Sequence, residues 1–274
     1  MGDVGSALAR LLLATGWRVT GLRRSPTAEL PTGVVRLTAD LRAPESLKTL
    51  SRERYDTVVF CAAAGASSAE DYQRTYVEGL RNVIQALDPQ SSPRLVFTSS
   101  TGVYHQDDGG WVDETSPALQ EHFSGRAMRE AEAVVRGSGR AHVIVRLGGI
   151  YGPGRAGMID RLKRGAERLR PGAARYLNLV HRDDAAAILT HVIGLATAET
   201  LYLGVDGVPA GRNEMLLWLA EQLRIPPPPL AETEEAANHR GNKRCSSERL
   251  RASGYVFRYP DFRDGYGELI QFLR

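Results

Sequence analysis

The chain has 274 residues, 42% hydrophobic and 24% charged, and its 35 Lys and Arg against 32 Asp and Glu leave a formal net charge of +3. This is an ordinary globular mixture, long enough for one large α/β domain with an appendage. It excludes a membrane-spanning helix, because no run approaches the ~20 apolar residues a span requires. The arginines are scattered rather than gathered into a basic stripe, which argues against a nucleic-acid partner and for a local anion site.

In chain order, SALARLLLAT (6–15) places apolar residues at helical spacing, and RVTGL (18–22) and VVRL (34–37) read as strands. TVVFC (57–61), RLVFT (94–98) and HVIVRL (142–147) are further strands, separated by helices over 72–87 and 124–137. The strands lack polar alternation, so both of their faces are buried, as in a parallel sheet. Strands alternating with helices predict an α/β, Rossmann-like doubly wound fold. After about residue 150 the texture changes to Gly/Pro turns, helices over 158–169 and 182–194, the strand LYLGV (201–205), a stiff Pro226–Pro229 connector and a turn with a short helix in 241–255. Residues 1–150 are therefore the expected dinucleotide-binding domain. Residues 151–274 are expected to complete the sheet edge and form a small C-terminal substrate lobe.

Gly2 and Gly5, with Asp3 and Val4 between them, stand as the last two glycines of G-x-G-x-x-G, and a helix follows. One glycine lets the backbone approach a pyrophosphate and the other lets helix and strand pack closely, while the helix N-terminus offers its free N–H groups. The first glycine and the central strand that should precede this turn are absent from the expected order. Three large apolar side chains on such a strand contribute roughly 5–9 kcal/mol. The reading therefore expects the natural protein to start upstream of residue 1. Where an NAD-binding protein places an acid against the ribose 2′-hydroxyl, this chain has Arg23 and Arg24, which suit a 2′-phosphate and favour NADP over NAD. Asp40 and Leu41 are expected near the adenine.

Several segments, taken in order, resemble the extended short-chain dehydrogenases, the NAD-dependent epimerase/dehydratases, and especially their atypical members. VVFCAAA (58–64) resembles the strand that lines the cofactor with Ala62, Ala63 and Ala64. YVEGLRNVIQAL (76–87) is similar to the N-V-x-G-T-x-N-V-L-E-A helix, with Tyr76 in place of the first Asn. FTSSTGVY (97–104) resembles the segment that carries the active-site Ser, here Ser100 with Thr101 beside it. VRLGGIYGPGR (145–155) and LNLVHRDDAAAIL (177–189) resemble the R-x-x-x-I-Y-G-P-G turn and the N-x-V-H-V-D-D segment of the substrate lobe.

The family's Y-x-x-x-K falls on HFSGRAMREAE (122–132), where Ser124 stands for Tyr and Met128 for Lys. A Ser hydroxyl cannot by itself replace a phenol whose pKa is lowered by a Lys ammonium. Tyr104, His122 and Arg126 are the substitutes nearby, with packing and surface roles as the competing readings of Tyr104 and His122. His181 reads as structural or as a substrate-lobe hydrogen-bonding group, and Asp183 and Asp184 as the cap of a helix. Cys61 and Cys245 lack C-x-x-C spacing, no residues have metal-ligand spacing, and no leader is evident, which together fit a reducing cytoplasm.

The resemblance implies an NADP(H)-binding oxidoreductase acting on a nucleotide-sugar or related polar carbonyl or alcohol. The alternative is a non-catalytic NADP(H)-binding sensor or scaffold. The partner expected is a small-molecule substrate, and AMREAEAVV (127–135) presents either a core face or the face of a homodimer.

Overall fold

Residues 1–172, 174–232 and 241–272 are described by the structure, a computed structural model. Helix α1 (Asp3–Ala14) buries Val4, Leu8, Ala9 and Leu12 on one face at helical spacing, and Gly16 at φ +85° turns the chain out of it. Strands β1 (Thr20–Arg23) and β2 (Val35–Thr38) pair in parallel, from Thr20 opposite Val35 to Arg23 opposite Thr38. A 3₁₀ segment at Pro44–Arg52 leads to β3 (Thr57–Phe60). Next come α2 (Ala69–Tyr72), a π-helical segment at Gln73–Glu78, α3 (Gly79–Ala86), β4 (Arg94–Ser100) and a 3₁₀ turn at Thr101–Val103. The expected helix over 72–87 is thus three segments, interrupted at its centre by a π turn.

The chain continues through β5 (Trp111–Val112), α4 (Phe123–Arg136), β6 (His142–Leu147), β7 (Gly149–Tyr151), α5 (Gly157–Lys163), β8 (Tyr176–Leu177) and β9 (Leu179–His181). It ends with α6 (Arg182–Gly194), β10 (Leu201–Gly204), β11 (Ala210–Gly211), α7 (Arg212–Leu223), β12 (Arg244–Cys245), α8 (Glu248–Ala252) and α9 (Phe262–Phe272). The helix expected over 158–169 stops at Lys163, because Gly165 adopts φ +66°. Strands β10, β6, β4 and β3 form a sheet in that order, with β3 parallel to β4 and Phe60 opposite Phe97. The fold is α/β and Rossmann-like.

Two compact units result, and they interleave along the chain rather than meeting at one cut near residue 150. The first comprises Met1–Val103, Ala118–Arg146 and Ala186–Tyr202, and the second Tyr104–Pro117, Leu147–Ala185 and Leu203–Arg274. The physical reason is that most of α6 and the start of β10 return to the sheet after the chain has left it. In the first unit Leu95, Val96, Val143, Ile144 and Val145 are buried on adjacent strands. Ala127, Met128, Ala131 and Val135 of α4 are buried as well, so the apolar face that read as core or dimer surface is core. The second unit has its own apolar centre around Tyr151, Ile159, Leu216, Phe262 and Tyr266.

Within the first unit, α1 and the separate edges of β1 and β3 enclose a cavity of about 620 Å³. Its floor is apolar, with Leu8, Leu12, Val58, Phe60 and Val83 among the lining side chains.

Candidate cofactor and active site

In open parallel α/β sheets, ligands bind beyond the carboxyl ends of the strands. Gly2 caps α1 in an extended conformation with no side-chain capping bond, so the positive end of the helix remains available to an anion. A Cβ on Gly2 would meet nothing within 4 Å, whereas one on Gly5 would lie 3.0 Å from Cys61 Sγ and 3.2 Å from Met1 Cγ. Gly2 thus leaves room for an approaching ligand, and Gly5 lets α1 pack against the residue after β3. Asp3 is exposed on the first turn, Val4 is buried beneath it, and the Met1 amino group donates to the Leu22 carbonyl.

At the end of β1 the two arginines differ. Arg23 Nη1 donates to the Glu29 carbonyl at 2.9 Å, and Arg36 holds the same loop through the Ser25 and Ala28 carbonyls. Arg24 is exposed and makes no hydrogen bond or ion pair among the described residues. Of the pair, Arg24 is the guanidinium at liberty to receive a phosphate. Asp40 Oδ1 accepts from the Arg42 amide, and Arg42 Nη2 reaches both Asp71 Oδ1 and Thr75 Oγ1 at 2.6 Å. Leu41 seats against Gly79, where any Cβ would collide with its Cδ1, and its carbonyl accepts from Asn82 Nδ2. Gly2, Gly5, Arg23, Arg24, Asp40 and Leu41 line one cavity together with Cys61, Ala62 and Ala63. A helix end without a side-chain cap, an open glycine and an exposed guanidinium beside one cavity fit a dinucleotide phosphate ester.

Beyond β3 the chain runs through Ala62 and Ala63 to Ala64, whose N–H donates to Tyr76 Oη at 3.2 Å. Tyr76 stands in the π-helical segment, and its ring packs on Tyr72 at 5.2 Å between centroids. Tyr72 meets Phe123 edge-on at 5.4 Å, and Phe123 packs on His122 at 4.3 Å. This wall reaches Ser124, whose Oγ lies 2.9 Å from His122 Nδ1.

Ser100 ends β4, and its Oγ accepts from the Gly102 amide at 3.0 Å, with Thr101 buried next to it. A Cβ on Gly125 would sit 2.7 Å from the Gly102 carbonyl, so glycine is what lets α4 begin directly against this turn. The turn that follows Ser100 and begins with Thr101 therefore packs against the start of α4, the helix that carries Ser124 with His122 just before it. Tyr104 does not join them. It has 0% exposure and its phenol donates to the Asp113 carbonyl at 2.6 Å, which makes it a packing residue of the second unit. Met128, where the family has Lys, is 5% exposed and contributes apolar volume but no charge.

Sequence reasoning missed what anchors β4. Glu132 on α4 is 1% exposed and accepts from Ser99 Oγ at 2.7 Å, from Arg146 Nε and Nη2 at 2.8 Å each, and from Arg136 at 2.9 Å. Burial by itself pushes the Glu132 carboxyl up, but the hydrogen bonds and charge of Arg146, the Ser99 hydroxyl and Arg136 outweigh it and hold the group below its ordinary range. The signal was present, since Arg146 interrupts an apolar strand and Glu132 lies four residues after Met128 on the buried face of α4. Buried charges of opposite sign are expected to pair.

In the second unit His181 is buried against Tyr151 and Tyr259, and its Nδ1 accepts from the Asp183 amide. Burial pushes its pKa down, in keeping with a structural, neutral imidazole. Asp184 accepts from Tyr255 Oη and from the amides of Arg258 and Tyr259, so it braces this unit more than it caps α6. Asp206, also buried, is pushed up to about 8 by burial and by the charges of Asp261 and Asp184.

Comparison with known proteins accords with this geometry. A family model described as NAD(P)H-binding matches residues 1–194. A solved structure from Methylobacillus flagellatus, named for the NAD-dependent epimerase/dehydratases, superposes with a TM-score of 0.84 at 39% identity, covering 100% of this chain and 96% of its own. Protein YeeZ of Escherichia coli K12 is 25% identical over 95% of this chain and 94% of its own length. A 2-alkyl-3-oxoalkanoate reductase of Stenotrophomonas maltophilia is 30% identical over 82% of this chain and 74% of its own. No described helix is long and apolar enough to cross a membrane. The chain belongs to the NAD(P)H-binding family, among the extended short-chain dehydrogenases that include the NAD-dependent epimerase/dehydratases.

Proposed function

We propose that the protein is an NADPH-dependent oxidoreductase of polar ketones or the corresponding alcohols, a class that includes nucleotide-sugar and 3-oxo-acid substrates. The observation that carries the cofactor choice is Arg24. A guanidinium that is exposed and has no partner among the described residues stands at the end of β1, where an acid would repel a 2′-phosphate. Gly2 and the first turn of α1 would hold the pyrophosphate, Gly5 keeps that helix close to the strand, and Ala62, Ala63 and Ala64 would flank the dinucleotide beyond β3. When bound, the dinucleotide supplies or accepts the hydride. Ser100 Oγ would orient the substrate oxygen, with Thr101 and Ser124 beside it.

The 3-oxo-acid class is supported by the name of the Stenotrophomonas relative, and the nucleotide-sugar class by the epimerase/dehydratase likeness. The test is NADPH consumption at 340 nm with a panel of 2-alkyl-3-oxo acids and 4-keto nucleotide sugars. Turnover with any member supports an enzyme. Tight NADPH binding with no turnover on the whole panel would make the chain a sensor or scaffold.

A further inference from the structure

We infer that the Tyr76 phenol is the proton donor of this site, taking over the task of the tyrosine that Ser124 replaces. The inference deepens the proposed reductase function and rests on it. Ala64, which follows the cavity-lining Ala62 and Ala63, donates its N–H to Tyr76 Oη at 3.2 Å. With its oxygen accepting that bond, the phenol keeps its own hydrogen, and among the described residues it donates to no acceptor. A half-buried phenol fixed through its oxygen to the segment that follows the cofactor-lining strand keeps its own proton available for donation.

Two further observations converge. Tyr76 lies in a π-helical segment, a conformation that is rare and concentrated at functional sites. That segment packs against α4, and α4 packs against the 3₁₀ turn following Ser100, so Tyr76, Ser124 and Ser100 belong to neighbouring elements of one unit. Burial, and the nearby Tyr72 and Asp71, push the Tyr76 pKa upward despite the Ala64 bond, so the phenol holds its proton before the reaction but is a weaker acid than a tyrosine activated by a neighbouring ammonium. Of the other hydroxyls, Ser124 is an aliphatic alcohol and a far weaker acid than a phenol, and Tyr104 is already committed to Asp113.

In the reducing direction the carbonyl carbon gains the hydride of the reduced dinucleotide, which is oxidised, and the π pair moves onto the carbonyl oxygen. That oxygen takes the Oη proton of Tyr76, and the phenolate regains a proton from water. Tyr76→Phe keeps the ring contact with Tyr72 and removes the hydroxyl together with the bond it accepts from the Ala64 amide.

The experiment uses the full chain labelled with ¹³Cζ-tyrosine, with the Tyr76 resonance identified by its absence in Tyr76→Phe. Saturation with NADP⁺ is expected to shift that resonance. Tyr76→Phe is expected to bind NADPH within about twofold of wild type and to lose about 10²–10⁴-fold in kcat with little change in KM. A Tyr76 resonance unmoved by saturating NADP⁺ overturns the inference and leaves the cofactor reading intact. So does a kcat within threefold of wild type on a substrate that turns over. Failure of the wild-type chain to bind either dinucleotide would overturn both.

Discussion

Replacing Arg146 with Met removes the main partner of a carboxylate that is 1% exposed, while keeping most of the volume of a side chain that is itself 4% exposed. Glu132 loses two bonds of 2.8 Å and retains Ser99 and Arg136, the latter with a side chain 46% exposed and therefore a weak substitute. Breaking a buried pair from one side costs about 3–5 kcal/mol, against a total stability on the order of 5–15 kcal/mol. The urea midpoint should fall accordingly. Adding Glu132→Leu to Arg146→Met should restore much of the loss, because the stranded charge is gone.

The same pair sets a pH dependence. Glu132 has a folded-state pKa below its unfolded value, so its contribution is fully present above the ordinary carboxyl pKa of about 4.3 and is lost as pH falls through the lower folded value. In Arg146→Met that loss moves to higher pH. Urea titrations of the wild type, both singles and the double variant between pH 3 and 8 read all of this. A single-variant cost under about 1 kcal/mol, or a double variant no better than Arg146→Met, would refute the reasoning.

One other consequence is testable by the same method. Asp206 has a folded-state pKa raised to about 8, so it is protonated in the fold at neutral pH and its cost to stability grows as pH rises from about 4 to about 8. Asp206→Asn should flatten that decline and be at least as stable as wild type at pH 7, and a variant less stable there would contradict it.

The strands were legible because most are short, continuous apolar runs, and all six named from the sequence agree with the structure within two residues at either end. The glycines of the nucleotide turn were legible for a similar reason, since their spacing carries a steric requirement that Gly5 meets against Cys61. Helices α7 and α9 were not anticipated. α7 in particular is apolar around much of its circumference, so helical periodicity gave no contrast. The interleaving of the two units was hidden because no local pattern says that α6 returns to the sheet. Among site residues, Ser100 and Ser124 were found through motif positions, while Tyr76 entered only as a departure from an expected Asn. Its significance depends on the π turn and on the Ala64 bond, and both are tertiary facts. Tyr104 was drawn in by its closeness to Ser100 in sequence, yet the 3₁₀ turn after β4 carries it into the other unit.

The central claim is that the chain holds NADPH through the turn at Gly2–Gly5 and the guanidinium of Arg24. Its most direct test is a titration of the protein with NADPH and NADH, read by energy transfer from Trp17, which lines the same cavity. A charge-assisted contact to a 2′-phosphate is worth about 1.5–3 kcal/mol, so NADPH should bind roughly 10–100-fold more tightly than NADH, and Arg24→Asp should erase the difference. Equal affinity for the two dinucleotides, or a preference for NADPH that survives Arg24→Asp, would contradict the account.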